Sequence, residues 1–220
     1  MRKGLFITFE GGEGAGKTTQ IKAIAEWLNN QGIEVVSTRE PGGTPEAEKL
    51  RDLLVKRDGG NWTAEAEVLL FFAARHMHVT DVIKPALEKG KVVICDRFTD
   101  STRAYQAYGH GQDLQFINKV NDLVLQGFEP DLTFILDIPA KDGLARSKRR
   151  QSEIGSDDAA SEDRFEKLDI AFHEKLRQGF LDIAQNDPDR CFVIDALQKP
   201  DEITNRLQSL ISKEGGISHG

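Results

Sequence analysis

Apolar residues fall along this chain in two alternating rhythms. Short, nearly continuous runs, LFITFE (5–10), EVVST (34–38), KVVICD (91–96), DLTFILDI (131–138) and CFVIDA (191–196), read as strands. Between them apolar positions recur every three or four residues. Ile21, Ile24, Ala25 and Leu28 predict a helix over 18–30 that Gly32 stops. The same spacing predicts helices over 47–56, over 64–89 with a kink at Pro85, over 102–107, over 113–126 and over 200–213; Gly109 and Gly111 separate the third from the fourth. Pro139 is placed to open a further helix after the fourth strand. Strands that alternate with helices and lack a polar face predict an α/β fold, a five-stranded parallel sheet with helices on both faces. One stretch breaks the rhythm. SEIGSDDAASED (152–163) is small, acidic and without apolar period, and reads as a loop that interrupts helical pattern on both sides. That placement suits the tip of a lid at about 146–164 rather than a linker, so residues 1–220 are expected to form one domain.

Composition narrows the partners. The 220 residues are 39% hydrophobic and 30% charged, with a formal net charge of −7, so no overall basic field recruits nucleic acid. An anionic substrate would need a local cluster of cations instead. Cys95 and Cys191 sit in apolar strands with no partner at ligand spacing, as inert thiols of a reducing compartment do. No apolar run reaches membrane-spanning length, and MRKGLFITFEGG reads as a strand rather than a signal peptide. The expectation is a soluble, cytoplasmic protein.

The chemistry begins directly after the first strand. Gly11-Gly12-Glu13-Gly14-Ala15-Gly16-Lys17-Thr18 satisfies G-x-x-x-x-G-K-[ST], between a predicted strand and a predicted helix. Glycines let the backbone wrap a phosphate, its N–H groups point at the anion, Lys17 reaches the β- and γ-phosphates, and the Thr18 hydroxyl suits Mg²⁺. Asn118-Lys119-Val120-Asn121 approaches a guanine-reading N-K-x-D motif but lacks the Asp. It also falls in a helical pattern, so it reads as a solvated helix face and the GTPase reading fails.

Asp96-Arg97 closes the third strand, at the edge where open α/β sheets bind ligands. Asp96 suits a Mg²⁺-bound water and Arg97 a phosphate, although a surface ion pair has the same sequence. Phe71 and Arg75 share a helix face; the pair suits a planar base, or a core ring beside an exposed arginine. Arg146, Lys148, Arg149 and Arg150 form a basic run, which is either a solvated face or cations at a lid's edge. None of the five histidines stands out as a general base.

FEGGEGAGKTT (9–19), REPGGT (39–44), EKLR (48–51), LLFFAAR (69–75), DRF (96–98), STRAYQ (101–106) and DRFE (163–166), in that order, resemble the thymidylate kinase family, as does the closing FVIDALQKPDEI. The resemblance implies a P-loop NTPase fold of the nucleoside monophosphate kinase type and transfer of the ATP γ-phosphate to dTMP. It implies that Gly11 to Thr18 hold ATP and Mg²⁺, with Asp96 assisting the metal. Arg97 and Arg51 would grip the acceptor phosphate, with Glu40 and Pro41 lining that side. Phe71 would stack on thymine and Arg75 would donate to its O4; Ser101, Thr102, Tyr105 and Gln106 would complete the pocket. Glu13 would approach the sugar 3′-hydroxyl. With Glu13 in the loop and Arg146, Lys148 and Arg150 in the lid, the pattern resembles the bacterial type, in which those cations join Lys17 and Arg97 in neutralising the transferring phosphate. A homodimer packed through helices is also implied. Arg103, where the family is usually small or neutral, and the long 152–162 stretch depart from the pattern. The competing readings are a related nucleoside monophosphate or deoxynucleoside kinase, and a P-loop regulatory NTPase. The second would need no acceptor pocket.

Overall fold

The computed structural model describes residues 4–56, 60–154, 164–165 and 168–216. Five strands, β1 (Phe6–Glu10), β2 (Val35–Arg39), β3 (Val92–Asp96), β4 (Leu132–Asp137) and β5 (Cys191–Asp195), form one parallel sheet in the order β2-β3-β1-β4-β5. The chain winds to one side of β1 through β2 and β3, then to the other through β4 and β5. A crevice therefore opens at the carboxyl end of β1, as such a reversal requires.

The period-two geometry of the strands sorts their side chains. Ile7 and Phe9, with Val92 and Ile94, and Phe134 and Leu136, pack against Ile21, Ile24 and Leu28 of α1 (Lys17–Asn30) and Leu207 of the last helix, α9 (Pro200–Glu214). On the other face Phe6, Val93 and Cys95 meet Val79, Ile83 and Leu87. Ile135 and Cys191 there meet Tyr105 and Leu176, Phe180 and Ile183 of α8 (Ile170–Asn186). Both cysteines are free and buried, and burial pushes the Cys191 thiol up to about 12 and Cys95 well above its ordinary value. Both features suit the inert thiols that the sequence leads one to expect.

The remaining helices carry the cleft walls. Thr44 caps α2 (Pro45–Val55) by accepting the Ala47 N–H, and Thr63 caps α3 (Ala64–His78) by accepting that of Ala66. The stretch from 64 is continuous to α4 (Lys84–Glu88), but its irregularity precedes the proline: Val79–Ile83 is a π-helical turn, and the Lys84 N–H reaches the Val79 carbonyl. Widening the helix there lets Pro85 begin α4 without a hydrogen bond to give. Similarly, the helix expected over 102–107 is a short α5 (Thr99–Thr102) running into a π-helical Arg103–Gly109.

Two expectations are corrected. Asn118 and Asn121 lie inside α6 (Leu114–Leu125), yet of that stretch only Lys119 is exposed: Asn118 Oδ1 accepts from Arg103 Nε at 3.1 Å, and Val120 and Asn121 are buried. Arg103 also pairs with Asp100 at 2.8 Å, so it joins the two helices. Ser152 and Glu153, read as loop, belong to α7 (Ala140–Ile154), where Ser152 bonds the Lys148 carbonyl and Glu153 faces Arg149. Residues 155–163 of the expected lid tip lie outside the described residues.

Candidate active site

The carboxyl ends of β1, β3 and β2 deliver the site. After β1 the chain turns through Gly11 (φ 127°), Gly14 (φ 68°) and Gly16 (φ 92°), angles that only glycine adopts at no steric cost, and enters α1 at Lys17. The buried Lys17 ammonium folds onto its own loop, donating to the carbonyls of Gly11 at 3.1 Å and Gly12 at 3.2 Å. Burial, then the neighbouring Arg97 charge, lower its pKa. An anion in the loop would oppose both effects. Thr18 stands exposed at the helix start.

The loop is also pressed against α7. A Cβ on Gly14 would collide with the Gly143 carbonyl, and one on Gly143 would meet the Glu13 carbonyl. No larger residue fits this contact.

After β3, Arg97 takes a left-handed φ of 69°, a conformation that costs a non-glycine residue of order 1 kcal/mol. Neighbouring bonds hold it. Cys95 Sγ donates to its carbonyl at 3.0 Å, and its guanidinium donates to the Gly11 carbonyl at 3.0 Å, Ser101 Oγ at 3.2 Å and Glu13 Oε1 at 2.8 Å. The surface-pair alternative therefore falls: Arg97 is largely covered and pairs across the cleft with Glu13. Tyr105 donates to the same Glu13 oxygen at 2.7 Å and lies under the Arg97 guanidinium. Burial alone would raise Glu13, but Arg97, Lys17 and the Tyr105 hydroxyl overcome it and lower the carboxyl to about 2. Asp96 Oδ1 is buried without a hydrogen-bond partner.

Beneath this turn sits Glu10, the last residue of β1 and fully buried. It accepts the Phe98 N–H at 2.7 Å and the Ser101 hydroxyl at 2.5 Å, fixing both ends of the Arg97 turn. Burial and the Asp100 charge push its carboxyl up to about 7, against those hydrogen bonds and Arg97.

The far wall comes from α3. Arg75 is buried, which rules out the exposed arginine of the simpler reading, while Phe71 is buried beside Leu54 and Val55 and still faces the cleft. Arg75 Nε donates to Glu40 Oε2 at 2.6 Å, and Nη2 to the Phe98 carbonyl at 3.1 Å and Thr102 Oγ1 at 3.0 Å. Its guanidinium lies between the rings of Phe72 and Phe98. Only Nη1 has no partner. Glu40 precedes Pro41 through a cis peptide, and Arg51 donates to the Pro41 carbonyl at 2.8 Å. Gln106 donates to Glu67, whose other oxygen pairs with Arg164.

One open cleft of about 550 Å³ joins these walls, lined by Lys17 and Thr18 of the glycine loop, by Phe71, Arg75, Thr102 and Gln106, and by Arg97, which bonds the Gly11 carbonyl on one side and Ser101 on the other. The predicted Glu13, Glu40, Pro41, Arg51, Asp96, Ser101 and Tyr105 line it too. Of the basic run, Arg150 reaches the cleft, Arg146 donates to the Ala196 carbonyl at 2.8 Å, Lys148 is exposed, and Arg149 faces Glu153 outside. Sequence reasoning missed Glu10, His78, Glu67 and Arg164. Only a charged residue at the end of an apolar strand hinted at the first.

A family model described as thymidylate kinase matches residues 9–207. The chain belongs to the thymidylate kinase family. It is 46% identical to the thymidylate kinase of Caulobacter vibrioides over 217 residues, 99% of this chain and 100% of the relative. It is 49% identical to that of Geotalea uraniireducens over 195 residues, 89% and 90% of the two chains. A crystal structure of thymidylate kinase from Ehrlichia chaffeensis superposes with a TM-score of 0.72 at 38% identity, covering 94% of this chain and 98% of that one.

Proposed function

We propose that this protein transfers the γ-phosphate of ATP to the 5′-phosphate of dTMP, giving dTDP for dTTP synthesis. The observation that carries the reading is the single cleft with a phosphate loop at one end, a ring and a buried arginine fork at the other, and Arg97 between. Gly11 to Thr18 wrap the ATP phosphates, and Lys17 leaves the Gly11 and Gly12 carbonyls for them. Phe71 stacks on thymine, and the one unpartnered nitrogen of Arg75 donates to its O4. Thr102 and Gln106 border the base, Tyr105 and Glu13 the sugar, and Arg51, Pro41 and Ser101 the acceptor phosphate.

The second pKa of a phosphate monoester is about 6, so the acceptor is largely dianionic at neutral pH and needs no general base. The barrier lies in bringing two polyanions into line, which makes catalysis mainly positioning and charge neutralisation. Lys17 and Arg97 supply this from within. Arg150, Lys148 and Arg146 supply it from α7, with Arg146 steadying the Ala196 carbonyl beside the donor end. The buried, unpartnered Asp96 Oδ1 and the Thr18 hydroxyl form an oxygen set suited to Mg²⁺ and its waters. Bound there, the ion would screen the donor phosphates.

A homodimer is the assembly the family resemblance implies, and exposed Leu69 and Leu123 on the packed pair α3 and α6 support it. Among the described residues no helix is long and apolar enough to cross a membrane, and with two buried free thiols this favours the cytoplasm.

The test is coupled ADP release with MgATP and dTMP, dUMP, dCMP, AMP or GMP. Strong turnover with dTMP, weaker with dUMP and negligible with the others is expected; one methyl is worth only ~1–3 kcal/mol in an apolar pocket. Turnover with another monophosphate alone would overturn the thymine assignment, and none at all would overturn the kinase reading.

A further inference from the structure

His78, the last residue of α3, has no exposed surface and lies behind the acceptor pocket. Its Nδ1 stands 2.9 Å from Glu40 Oε1, and its Nε2 stands 2.7 Å from Thr38 Oγ1 on β2. A carboxylate only accepts, so Nδ1 is the donor to Glu40. The ring is clamped in place, since a Cβ on Gly43 would collide with it. The chain of contacts therefore runs Thr38, His78, Glu40, Arg75. Each Glu40 oxygen is taken, one by His78 and the other by Arg75 Nε.

This arrangement fixes the orientation of the Arg75 guanidinium. With Nε held by Glu40 and Nη2 held by Phe98 and Thr102, Nη1 alone is left to donate. An arginine fork has donors and no acceptor, so in that setting it accepts a ring carbonyl and rejects a ring amino group. Freed from Glu40, the fork can swing aside, losing its bond to a carbonyl and its conflict with an amine together.

We propose that His78 is a specificity-determining positioning residue, which holds Glu40 so that Arg75 presents a single donor to the 4-position of a pyrimidine monophosphate. The proposal rests on the acceptor-pocket reading given above. His78 touches no substrate itself; its action passes through Glu40.

The side chains of asparagine and glutamine separate its two contacts. The Asn amide nitrogen falls near the place of Nδ1 and keeps the donor to Glu40. The Gln amide reaches the place of Nε2, keeping Thr38 and losing Glu40. The experiment measures kcat/KM for dTMP and dCMP, and KM for ATP, in the wild type, His78→Asn and His78→Gln. The dTMP-to-dCMP ratio is expected to fall ~10-fold or more in His78→Gln, to stay near wild type in His78→Asn, and KM for ATP to hold in both. A ratio unchanged in His78→Gln overturns the proposal. So does an equal fall in both variants, which is what a packing role predicts. If His78→Gln does not fold, Thr38→Val serves instead, with an expected loss of ~3-fold in the ratio; an unchanged ratio there overturns it too. A wild-type enzyme without preference for dTMP fails the acceptor reading itself, before any variant is compared.

Discussion

The interior wall of the cleft and the α7 rim are both rich in charge, yet they hold it in opposite ways. On the wall, Glu40 and Arg75 are buried and bonded at nearly every polar atom, and the Arg75 guanidinium lies over the rings of Phe72 and Phe98. On the rim, Lys148, Arg149 and Arg150 are exposed, and the Arg149–Glu153 pair is open to water at 3.6 Å. Buried charges are expensive to leave alone, so the wall's geometry is enforced by desolvation. Exposed ones cost little to rearrange. The comparison teaches that, on the proposed reading, the groups assigned to the base cannot move without unfolding something, whereas the cations that α7 adds to the buried Lys17 and to Arg97 can.

The largest effect that would sharpen this contrast is expected on the rim. Arg150→Ala should lower kcat ~10³-fold, with a urea-unfolding free energy within about 0.5 kcal/mol of wild type. Unchanged turnover would remove Arg150 from the chemistry. The wall should behave in the reverse sense. Arg75→Ala leaves Glu40 buried with its counter-ion gone, and should cost about 3 kcal/mol or more of folding stability as well as dTMP affinity. A loss below about 1 kcal/mol, the scale of a surface pair, would erase the difference between the regions.

A pH series probes the wall more gently. The Glu10 carboxyl is raised to about 7, so it holds its proton more tightly folded than unfolded. Its contribution to stability is present below the ordinary carboxylate value of 4.5 and is lost as pH rises through about 7. Glu13, lowered to about 2, acts oppositely: its contribution is present above 4.5 and lost as pH falls toward 2. Glu10→Gln should therefore flatten the decline in unfolding free energy between pH 5 and pH 7.5; an unaltered slope would show that Glu10 does not govern it. The smallest effect is expected from Arg149→Ala, which should change stability by less than about 0.5 kcal/mol and leave kcat alone, because its only described ion pair is solvent-screened.

The strands and the phosphate loop were legible because both are written locally. Apolar runs mark buried parallel strands, and Gly11 to Thr18 lie contiguous in the chain. Asp96 and Arg97 were legible by position at a strand end. Other features were not, because they depend on partners distant in sequence. His78 looks like any helix-terminal histidine until Glu40 and Thr38 are brought beside it. Glu10 reads as the polar end of a strand until Phe98 and Ser101 close over it. The π-helical turns at 79–83 and 103–109 keep a helical apolar spacing and differ only in hydrogen-bond register, which no side-chain pattern reports. Arg103 could not be assigned because Asn118 meets it only once α6 packs beside it, although Asp100, three residues earlier, is a local partner.

The contact between Gly14 and Gly143 presses α7 onto the glycine loop at one tight point. Arg150 stands seven residues beyond that point, about 10 Å along the axis at 1.5 Å per residue. A tilt of about 10° around Gly143 would sweep the arginine through roughly 2 Å, enough to make or break a hydrogen bond. Any larger side chain at either glycine would pry the two apart. The glycine loop and Arg150 would then lose their fixed spacing.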